Sequence, residues 1–365
     1  MTTESIEARL PFSGDTRVEA LSEDARNIAR RIEQVLRRLG LDGEPAFYAV
    51  AAAYAAQQSQ ELSTIAVRGE LPFSRVMSDG EGRALLGALL EADPLATSAP
   101  VLYQHLLGAR FRRNSGKFFT PRSVAASMVR LIPVDEESRI LDPACGGGVF
   151  LSEASSYWGS KDCKLFGNDV DPSLADLTRL RLALDPNQRS FEVEEGNLYE
   201  GGFLAHWAGT IDAIIANPPF SLRITVPNFR SPLFAAGYAN SDALFLDEAH
   251  RLLRPGGRLV CLLPHSIFVN RDYSRLRCII EESWVLRAVF GLPEGVFHVT
   301  ADTATRAGII VLDKRPAEAA CDVVFGHCDS VGTALNARGL SAGEDSLGSF
   351  VADSAVRTAL GLEAS

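Results

Sequence analysis

The sequence has no apolar run that approaches the roughly 18 residues that a helix needs to cross a bilayer. A membrane-spanning helix is therefore not expected. The chain begins Met-Thr-Thr-Glu-Ser-Ile-Glu, without the basic stretch and apolar segment of a signal peptide. Together these two absences argue against a membrane protein or a secreted protein, and they predict a cytoplasmic location.

Cysteine is scarce, because only six cysteines are scattered along the 365 residues. Such usage is typical of a reducing compartment rather than of a disulfide framework. Cys321, His327 and Cys328 lie close together in sequence, but their spacing matches no zinc-binding pattern. No metal site is predicted. The sequence also lacks internal repeats and the Gly-x-x-x-x-Gly-Lys-Ser/Thr pattern of a phosphate-binding loop.

A chain of this length with 46% hydrophobic residues can bury a sizeable core. Its first part has the 3-4 spacing of apolar residues that predicts helices. We expect an all-helical N-terminal domain over residues 1–108, an α/β domain over 109–315 and an acidic C-terminal tail over 316–365. The predicted N-terminal helices lie near 22–40, where Ser22 is the expected cap, and near 45–57, 80–92 and 98–108.

From Arg122 onward, apolar runs alternate with helical patterns, which is typical of a parallel sheet covered by helices on both faces. We therefore predict an α/β fold with a doubly wound, mostly parallel, Rossmann-like sheet of seven strands. Thr120 is the expected cap of the first helix. The last two strands, joined by the loop from Gly291 to Arg306, are expected to pair antiparallel at one edge. The strands are predicted near 138–142, 164–168, 191–195, 211–216, 258–263, 284–290 and 307–313.

The net charge of −10 is unfavourable for a protein that must hold DNA alone, because phosphate contacts supply most non-specific affinity. Half of this excess lies in residues 316–365, where seven acidic residues oppose Arg338 and Arg357, a net charge of −5. Basic residues cluster on one face of the first helix and between Arg110 and Arg122, where phenylalanines are interleaved. The helix face is compatible with contact to DNA or a partner subunit, and the stretch from Arg110 to Arg122 with contact to a phosphate backbone. Each is also compatible with a solvated surface.

The apolar run 211–216 ends in Asn217-Pro218-Pro219-Phe220. Proline fixes φ near −65° and has no N–H, so this turn is stiff and presents carbonyl oxygens without competing donors. The Asn217 side-chain oxygen and the Pro218 carbonyl can both accept from an exocyclic amine such as adenine N6, while Phe220 can stack on the base. Two such acceptors favour a nucleophilic nitrogen as the transition state develops. We predict Asn217, Pro218, Pro219 and Phe220 as catalytic residues; a plain proline-rich loop is the alternative.

Residues 139–151 have the pattern of a strand, a glycine turn and a helix, in which the backbone can approach a ligand closely at a helix N-terminus. The turn lacks the Gly-x-Gly-x-x-Gly of dinucleotide sites, and its strand ends in Asp142, a carboxylate suited to a cationic ligand. S-adenosylmethionine, with its sulfonium and ammonium groups, fits better than a pyrophosphate. A tight turn without a ligand is the alternative. The predicted cofactor-binding residues here are Asp142, Ala144, Gly146 and Gly148.

The next predicted strand ends at Asp169, about 20 to 30 residues after the glycine turn, where such folds hold ribose hydroxyls. Asp171 is instead the expected cap of the following helix, with Pro172 at the first helical position. The third strand is followed by Asn197 and Leu198, which we expect to contact the cofactor's adenine. Asp169, Asn197 and Leu198 complete the predicted contacts of these strand ends.

The order of four motifs resembles that of the S-adenosylmethionine-dependent N6-adenine DNA methyltransferases, especially the methylation subunits of type I restriction-modification systems. The likeness covers about residues 100 to 315. It implies that residues 109–315 are a methyltransferase catalytic domain, in which Phe119, Thr120 and Pro121 help to close the cofactor pocket. The four motifs are Phe118-Phe119-Thr120-Pro121, Asp142-Pro143-Ala144-Cys145-Gly146-Gly147-Gly148, Gly167-Asn168-Asp169 and Asn217-Pro218-Pro219-Phe220.

The same resemblance assigns the methionine part of the cofactor to Asp142 and the glycines, the ribose to Asp169, and the target adenine to residues 217–220. Two positions depart from the usual pattern: Asp169 stands where such subunits usually carry Glu, and Asn197 stands where they often carry Asp. Neither departure removes a catalytic group. Both affect the expected geometry of the cofactor contacts.

The expected partners are DNA and a separate specificity subunit, because only about 50 residues follow Lys314, too few for a target-recognition domain. A restriction or other defence subunit in the same complex is compatible with this reading. The loop 221–240 is expected either to close over a flipped adenine or to be a passive crossover.

One alternative function is methylation of a ribosomal RNA base amine or of a protein glutamine amide by the same turn. Another is that the chain is an inactive scaffold subunit. C5-cytosine methylation is disfavoured, because it needs a cysteine nucleophile and Cys145 lies in the glycine turn instead. Cys145 is expected to be a small packing residue.

Overall fold

The structure is a computed structural model, in which no helix of the described residues is long and apolar enough to cross a membrane. Ser22 and Phe119, two residues with predicted roles, lie outside the described ranges. The residues described are 23–56, 62–93, 99–100, 102–103, 106, 120–159, 161–187, 189–200, 203–225, 231–294, 296, 306–314, 322–336 and 339–362.

The described residues of the N-terminal part form four helices, and those of the predicted 98–108 helix are also helical. The sequence did not predict the third helix, which contains Gly69 and Pro72, two residues that disfavour helix interiors. Gly69 is needed because a Cβ there would lie 2.6 Å from the Ala52 side chain and 2.8 Å from the Tyr48 carbonyl. The helices are α1 (Glu23–Arg38), α2 (Glu44–Ala55), α3 (Ser63–Met77) and α4 (Gly80–Ala92).

The α/β part is a mixed sheet of eight strands in the order β3-β2-β1-β4-β5-β7-β6-β8. Strands β1 to β5 are parallel, and β7 runs antiparallel to both of its neighbours. The strands are β1 (Arg139–Asp142), β2 (Lys164–Asp169), β3 (Phe191–Glu195), β4 (Ile211–Ala216), β5 (Leu253–Pro264), β6 (Val285–Gly291), β7 (Ala307–Asp313) and β8 (Val324–His327), and Thr333–Asn336 and Gly339–Ala342 form a separate hairpin, β9 and β10.

Helices cover both faces of this sheet, as the predicted fold class requires. Two hydrophobic clusters lie on opposite faces, and alternate residues of the strands point into each, for example Ile140 into one and Leu141 into the other. The helices are α5 (Arg122–Val129), α6 (Val149–Tyr157), α7 (Pro172–Ala183), α8 (Pro232–Ala235), α9 (Ser241–Leu252), α10 (Ser266–Val269), α11 (Ser274–Ser283), α12 (Ser346–Ala352) and α13 (Ser354–Ala359).

The Rossmann-like α/β fold is confirmed, and all seven predicted strands are present. The strand count of seven is corrected to eight, because β8 pairs in parallel with β6. The antiparallel pairing of β6 with β7 is confirmed, but β8 and not this pair forms the sheet edge. Thr120 does not cap α5 as predicted: Pro121 occupies the cap position, and no side chain there makes a capping hydrogen bond.

The segment that was expected to be an acidic tail contributes to the core of the α/β part. Leu347, Val351, Leu360 and Leu362 are buried in the same cluster as the central strands. The Phe350 ring packs edge-on against Phe290 of β6, with the ring centroids 5.6 Å apart. The predicted domain boundaries near 108 and 315 fall on residues outside the described ranges and stay predictions.

Truncation of Phe350 tests whether the C-terminal segment stabilises the sheet. We expect Phe350→Ala to lower the free energy of unfolding by about 2 kcal/mol, because a half-buried aromatic contact is lost. The matched control is Phe325→Ala on β8, whose side chain is 70% exposed, and it should change stability by less than about 0.5 kcal/mol. Chemical denaturation measures both. Equal stability of Phe350→Ala and the wild type would show that the segment does not support the sheet.

Candidate cofactor and substrate site

The candidate site lies where three neighbouring parallel strands end. Strand β1 ends at Asp142, β2 at Asp169 and β4 at Ala216, directly before Asn217. Since β1 pairs in parallel with both β2 and β4, the carboxyl ends of these three strands lie side by side along the same edge of the sheet. The chain turns to opposite sides of β1 here, and ligands of open α/β sheets bind at such a switch point.

One cavity at this edge joins residues that the sequence predicted to bind a cofactor with residues of the Asn-Pro-Pro-Phe turn. We call it the strand-end cavity. Thr120, Pro121, Asp142, Gly148 and Phe220 are described but do not line it. Its lining residues are Pro143, Ala144, Gly146, Asn168, Asp169, Val170, Leu174, Gly196, Asn197, Leu198, Tyr199, Asn217, Pro218, Pro219 and Leu222.

The glycine turn is held in place by two side chains of α7. Thr178 of α7 donates through Oγ1 to the Gly146 carbonyl at 2.8 Å, and Arg181 donates to the Gly147 carbonyl at 2.6 Å. Gly146 and Gly148 have φ values of 51° and 72°, a region that disfavours side chains. A Cβ on Gly148 would also lie 2.9 Å from Thr178 Oγ1. Conformation therefore favours glycine at both positions, and lack of space also requires it at Gly148.

Asp142 is 1% exposed and has one oxygen without a partner. Its Oδ1 accepts from the Ala144 N–H at 3.1 Å, whereas its Oδ2 makes no hydrogen bond. Burial raises the pKa of Asp142 well above its ordinary value, the Ala144 hydrogen bond opposes this, and the charge of Asp169 adds to it. A buried carboxylate in this state would gain from a cationic ligand that donates to Oδ2.

Asp169 links the second strand to the glycine turn. Its Oδ2 accepts from the Gly146 N–H at 2.8 Å and its Oδ1 from the Asp171 N–H at 2.9 Å. Asp171 caps α7 by accepting from the Ser173 N–H, with Pro172 in the first turn, as predicted.

Asn168 is a site residue to which the sequence reasoning gave no role. Its Nδ2 donates to the Pro143 carbonyl at 3.0 Å and to the Gly196 carbonyl at 3.2 Å, so it ties the ends of β1 and β3 together. Its Oδ1 is buried without a hydrogen-bond partner. The sequence shows an amide at the end of a buried strand. It does not show whether that amide binds a ligand or only bonds neighbouring backbone groups, because those neighbours come from other parts of the chain.

Asn217 is oriented by Thr120. The Asn217 Nδ2 donates to Thr120 Oγ1 at 3.1 Å, and Thr120 is itself buried directly before α5. The Asn217 Oδ1 is buried and has no hydrogen-bond partner. Since Thr120 holds the amide nitrogen, the acceptor oxygen is left available for a donor that enters the site.

The remainder of the turn is held by the start of α9. Ser241 donates to the Pro219 carbonyl at 2.5 Å, and both oxygens of Asp242 accept from the Ser221 N–H at 3.0 Å. Ser221 has a φ of 55°, an uncommon conformation for a residue other than glycine. Burial raises the pKa of Asp242, although the hydrogen bonds from Ser221 and Asn240 act against this.

The remaining predicted residues lie around this site. Phe220 is half-buried and packs against the core, and Asn197 accepts from the Tyr199 N–H at 3.0 Å through Oδ1. Leu198 is buried.

Cys145 is buried as expected of a packing residue, and burial raises the pKa of its thiol well above the ordinary value. Burial with a raised pKa disfavours a nucleophilic role for this cysteine.

Glu192, Glu194 and His206 have side-chain atoms close enough to hold a metal ion. Glu192 and Glu194 lie on the edge strand β3, and the three residues do not line the strand-end cavity. Exposed acidic groups of this kind are common without an ion, and we assign no metal to them.

Residues 102–337, more than half of the chain, match the family described as N-6 DNA Methylase. The chain therefore belongs to this family, and the predicted resemblance is confirmed.

Similar curated proteins are named as methyltransferases or as methylase subunits of restriction enzymes. The chain is 28% identical over 183 residues to the type II methyltransferase M.VspI of Vibrio sp. (strain 343), which covers 48% of this chain and 43% of that protein. It is 27% identical over 246 residues to the type I restriction enzyme MjaVII methylase subunit of Methanocaldococcus jannaschii, which covers 61% of this chain and 41% of that protein. The matched region thus spans about two fifths of these relatives.

A solved structure supports the fold. The type I restriction-modification methyltransferase subunit from Streptococcus thermophilus superposes with a TM-score of 0.62 at 17% identity, over 87% of this chain and 74% of that chain.

Replacement of Asp142 tests whether its buried carboxylate destabilises the protein when no ligand is bound. The pKa of Asp142 is higher in the folded protein than in the unfolded chain, where it is about 4. The contribution of Asp142 to the stability of the fold is therefore greatest below pH of about 4, where Asp142 is protonated in both states. This stabilisation is lost as the pH rises through the folded-state pKa. Asp142→Asn, which does not titrate, should exceed the ligand-free wild type in unfolding free energy at pH 8. We expect a gain of about 1 to 3 kcal/mol, because asparagine, although it also leaves one buried polar atom unpartnered, removes the charge that is costly to bury.

The gain should shrink as the pH of the denaturation experiment falls toward 4. A variant that is less stable than the wild type at pH 8 would contradict this description of Asp142.

Proposed function

We propose that this chain transfers the methyl group of S-adenosylmethionine to N6 of an adenine in DNA, after the base has left the duplex. It acts in the cytoplasm as the modification subunit of a restriction-modification or related defence system. The observation that carries this proposal is the buried Asn217 Oδ1, which lacks a hydrogen-bond partner beside a cavity suited to the cofactor.

The residues that line the strand-end cavity, together with Asp142 and Gly148 of the same glycine turn, fit S-adenosylmethionine, which when bound supplies an electrophilic methyl group. The unpartnered Oδ2 of Asp142 suits the cofactor's ammonium group, because a donor there would remove the cost of a buried unpaired oxygen. Ala144, Gly146 and Gly148 bring the backbone of the turn close to the amino-acid part. Asp169 would hold the ribose and Asn197 and Leu198 would contact the adenine ring, while the segment 119–121, of which Thr120 and Pro121 are described, would close the pocket.

The target amine is recognised by acceptors that are already oriented. The Asn217 Oδ1 and the Pro218 carbonyl accept its two hydrogens, which favours a tetrahedral nitrogen as the transition state develops. The carbon–nitrogen bond would form as the sulfur–carbon bond to the methyl group breaks, which leaves neutral S-adenosylhomocysteine. A strong base is not required, because the amine loses its proton to water only after the carbon–nitrogen bond begins to form. Phe220 stacks on the base that has left the duplex.

DNA is favoured over RNA or protein as the substrate by the family to which the chain belongs. Relatives named as methylase subunits of type I restriction enzymes support a multisubunit complex with DNA, in which a separate specificity subunit selects the sequence. A restriction or other defence subunit belongs to the same complex.

Asn217→Ala tests the catalytic role directly. We expect methyl transfer to fall by about 100-fold or more, because an acceptor that acts on the transition state is lost, while S-adenosylmethionine affinity changes by less than about threefold. The control is Asn187→Ala, an exposed asparagine after α7 that bonds only locally to Asp185. Transfer of a tritiated methyl group to DNA, RNA and protein is measured with and without the neighbouring gene products.

Calorimetry gives the cofactor affinity of the same variants. Loss of cofactor binding together with transfer in Asn217→Ala would contradict the assigned role. No heat with the wild type would favour an inactive scaffold.

Thr120→Val tests whether Thr120 acts through Asn217. Valine has a similar shape but no acceptor, so the amide loses its fixed orientation and kcat should fall about tenfold. Thr120→Ser should restore most of the rate. In an Asn217→Ala background the valine should cost little more. A rate loss of the same size in both backgrounds would show that Thr120 acts independently of Asn217.

A further inference from the structure

Arg68 of α3 reaches from the N-terminal helices to two elements beside the strand-end cavity, α7 and β3. Its Nη1 donates to the Asp176 carboxylate of α7 at 2.5 Å and to the Pro172 carbonyl at 3.4 Å. Its Nη2 donates to the Glu195 carboxylate of β3 at 2.8 Å. One guanidinium group thus connects α3, α7 and β3 in the fixed fork geometry of arginine.

Asp176 is the buried centre of this contact, with its side chain 0% exposed. Besides Arg68, it accepts from Tyr48 Oη at 3.0 Å, from Thr64 Oγ1 at 2.8 Å and from Arg179 Nη1 at 2.7 Å. Three donors from the N-terminal helices therefore converge on one carboxylate of α7. The apolar core continues across this contact, because Leu174, Leu177, Leu180 and Leu184 belong to the same cluster as α1 to α4.

The segments bonded to Arg68 lead directly into the cavity wall. Glu195 is the last residue of β3, and the next two residues, Gly196 and Asn197, line the cavity. The Gly196 N–H donates to the Asp169 carbonyl at 3.1 Å, so this segment also fixes the end of β2. Pro172 begins the helix that supplies Leu174 to the same wall.

We propose that Arg68 is a positioning residue for cofactor binding: by bridging Asp176 and Glu195 it holds the β3 end and the start of α7 against each other. The N-terminal helices thereby preorganise the adenosine half of the cavity, although Arg68 does not line it. This inference rests on the proposed function insofar as the cavity receives S-adenosylmethionine. Preorganised walls bind more tightly because less conformational freedom is lost on binding.

The fold does not depend on Arg68 alone. Without it, Asp176 still has Tyr48, Thr64 and the cation Arg179, and the shared leucine core is unchanged. Glu195, in contrast, loses its cation, with its side chain 32% exposed to solvent. An Arg68 variant is therefore expected to fold and to lose order mainly at the β3 end.

The test compares Arg68→Gln and Glu195→Gln with a matched control, Arg38→Gln. Arg38 also bridges two carboxylates, Asp79 and Glu81, at 2.9 Å each, but both lie within the N-terminal helices. Calorimetry with S-adenosylmethionine should give about five- to tenfold weaker binding for Arg68→Gln and less than about twofold for Arg38→Gln. Arg68→Lys, which keeps the charge without the fork, should recover part of the loss.

Two further readouts separate positioning from general stability. Amide hydrogen exchange without cofactor should be faster in residues 195–199 of Arg68→Gln than of Arg38→Gln. The double variant Arg68→Gln/Glu195→Gln should bind no more weakly than Arg68→Gln, because both changes remove one contact.

Equal losses of affinity in Arg68→Gln and Arg38→Gln, or unchanged exchange at 195–199 in Arg68→Gln, would overturn the proposal. If the wild type bound no S-adenosylmethionine, the proposed function would fail, and the exchange measurement would still decide whether Arg68 orders the β3 end.

Discussion

The site depends on one constraint: a buried acceptor oxygen without a hydrogen-bond partner is costly, and Asn217 places one at the end of β4. Thr120 holds the amide nitrogen, so the oxygen remains free to accept, and the prolines that follow make the backbone stiff. Asp142 and Asn168 carry similar buried, unpartnered oxygens at the ends of β1 and β2. Three neighbouring strand ends thus present acceptors that make no hydrogen bond to the described residues and are available to a ligand.

Helix α7 organises the groups around these acceptors. Its Thr178 and Arg181 hold the glycine turn, and its Arg179 donates to the Val193 carbonyl of β3 at 2.6 Å. Its Asp176 receives the donors of the N-terminal helices. A single helix therefore couples the cofactor turn, the third strand and the N-terminal part. This explains how residues far from the cavity in sequence can affect its geometry.

Much of the fold was predictable because the central strands are short, buried apolar runs that end in polar residues. The same logic identified Asp142, Asp169 and Asn217 as strand ends that meet at one edge, and the family match confirms the class of protein. The roles of individual site residues remain proposals.

Other features depend on tertiary contacts that a sequence does not display. Helix α3 was missed because Gly69 and Pro72 disfavour helices, whereas its packing against α2 requires the glycine. Strand β8 is only four residues long and alternates between half-buried and exposed positions, which is a weak signal. Thr120 was predicted as a helix cap, but its hydroxyl bonds Asn217, which lies 97 residues away in the chain.

The central claim is that the Asn217 Oδ1 accepts a hydrogen bond from the N6 amine of an adenine in DNA. The most direct measurement is mass spectrometry of nucleosides from DNA that has been incubated with the protein, its partner subunits and S-adenosylmethionine carrying a deuterated methyl group. We predict that the label appears in N6-methyladenine. Label in 5-methylcytosine, or in RNA or protein substrates but not in DNA, would contradict the account.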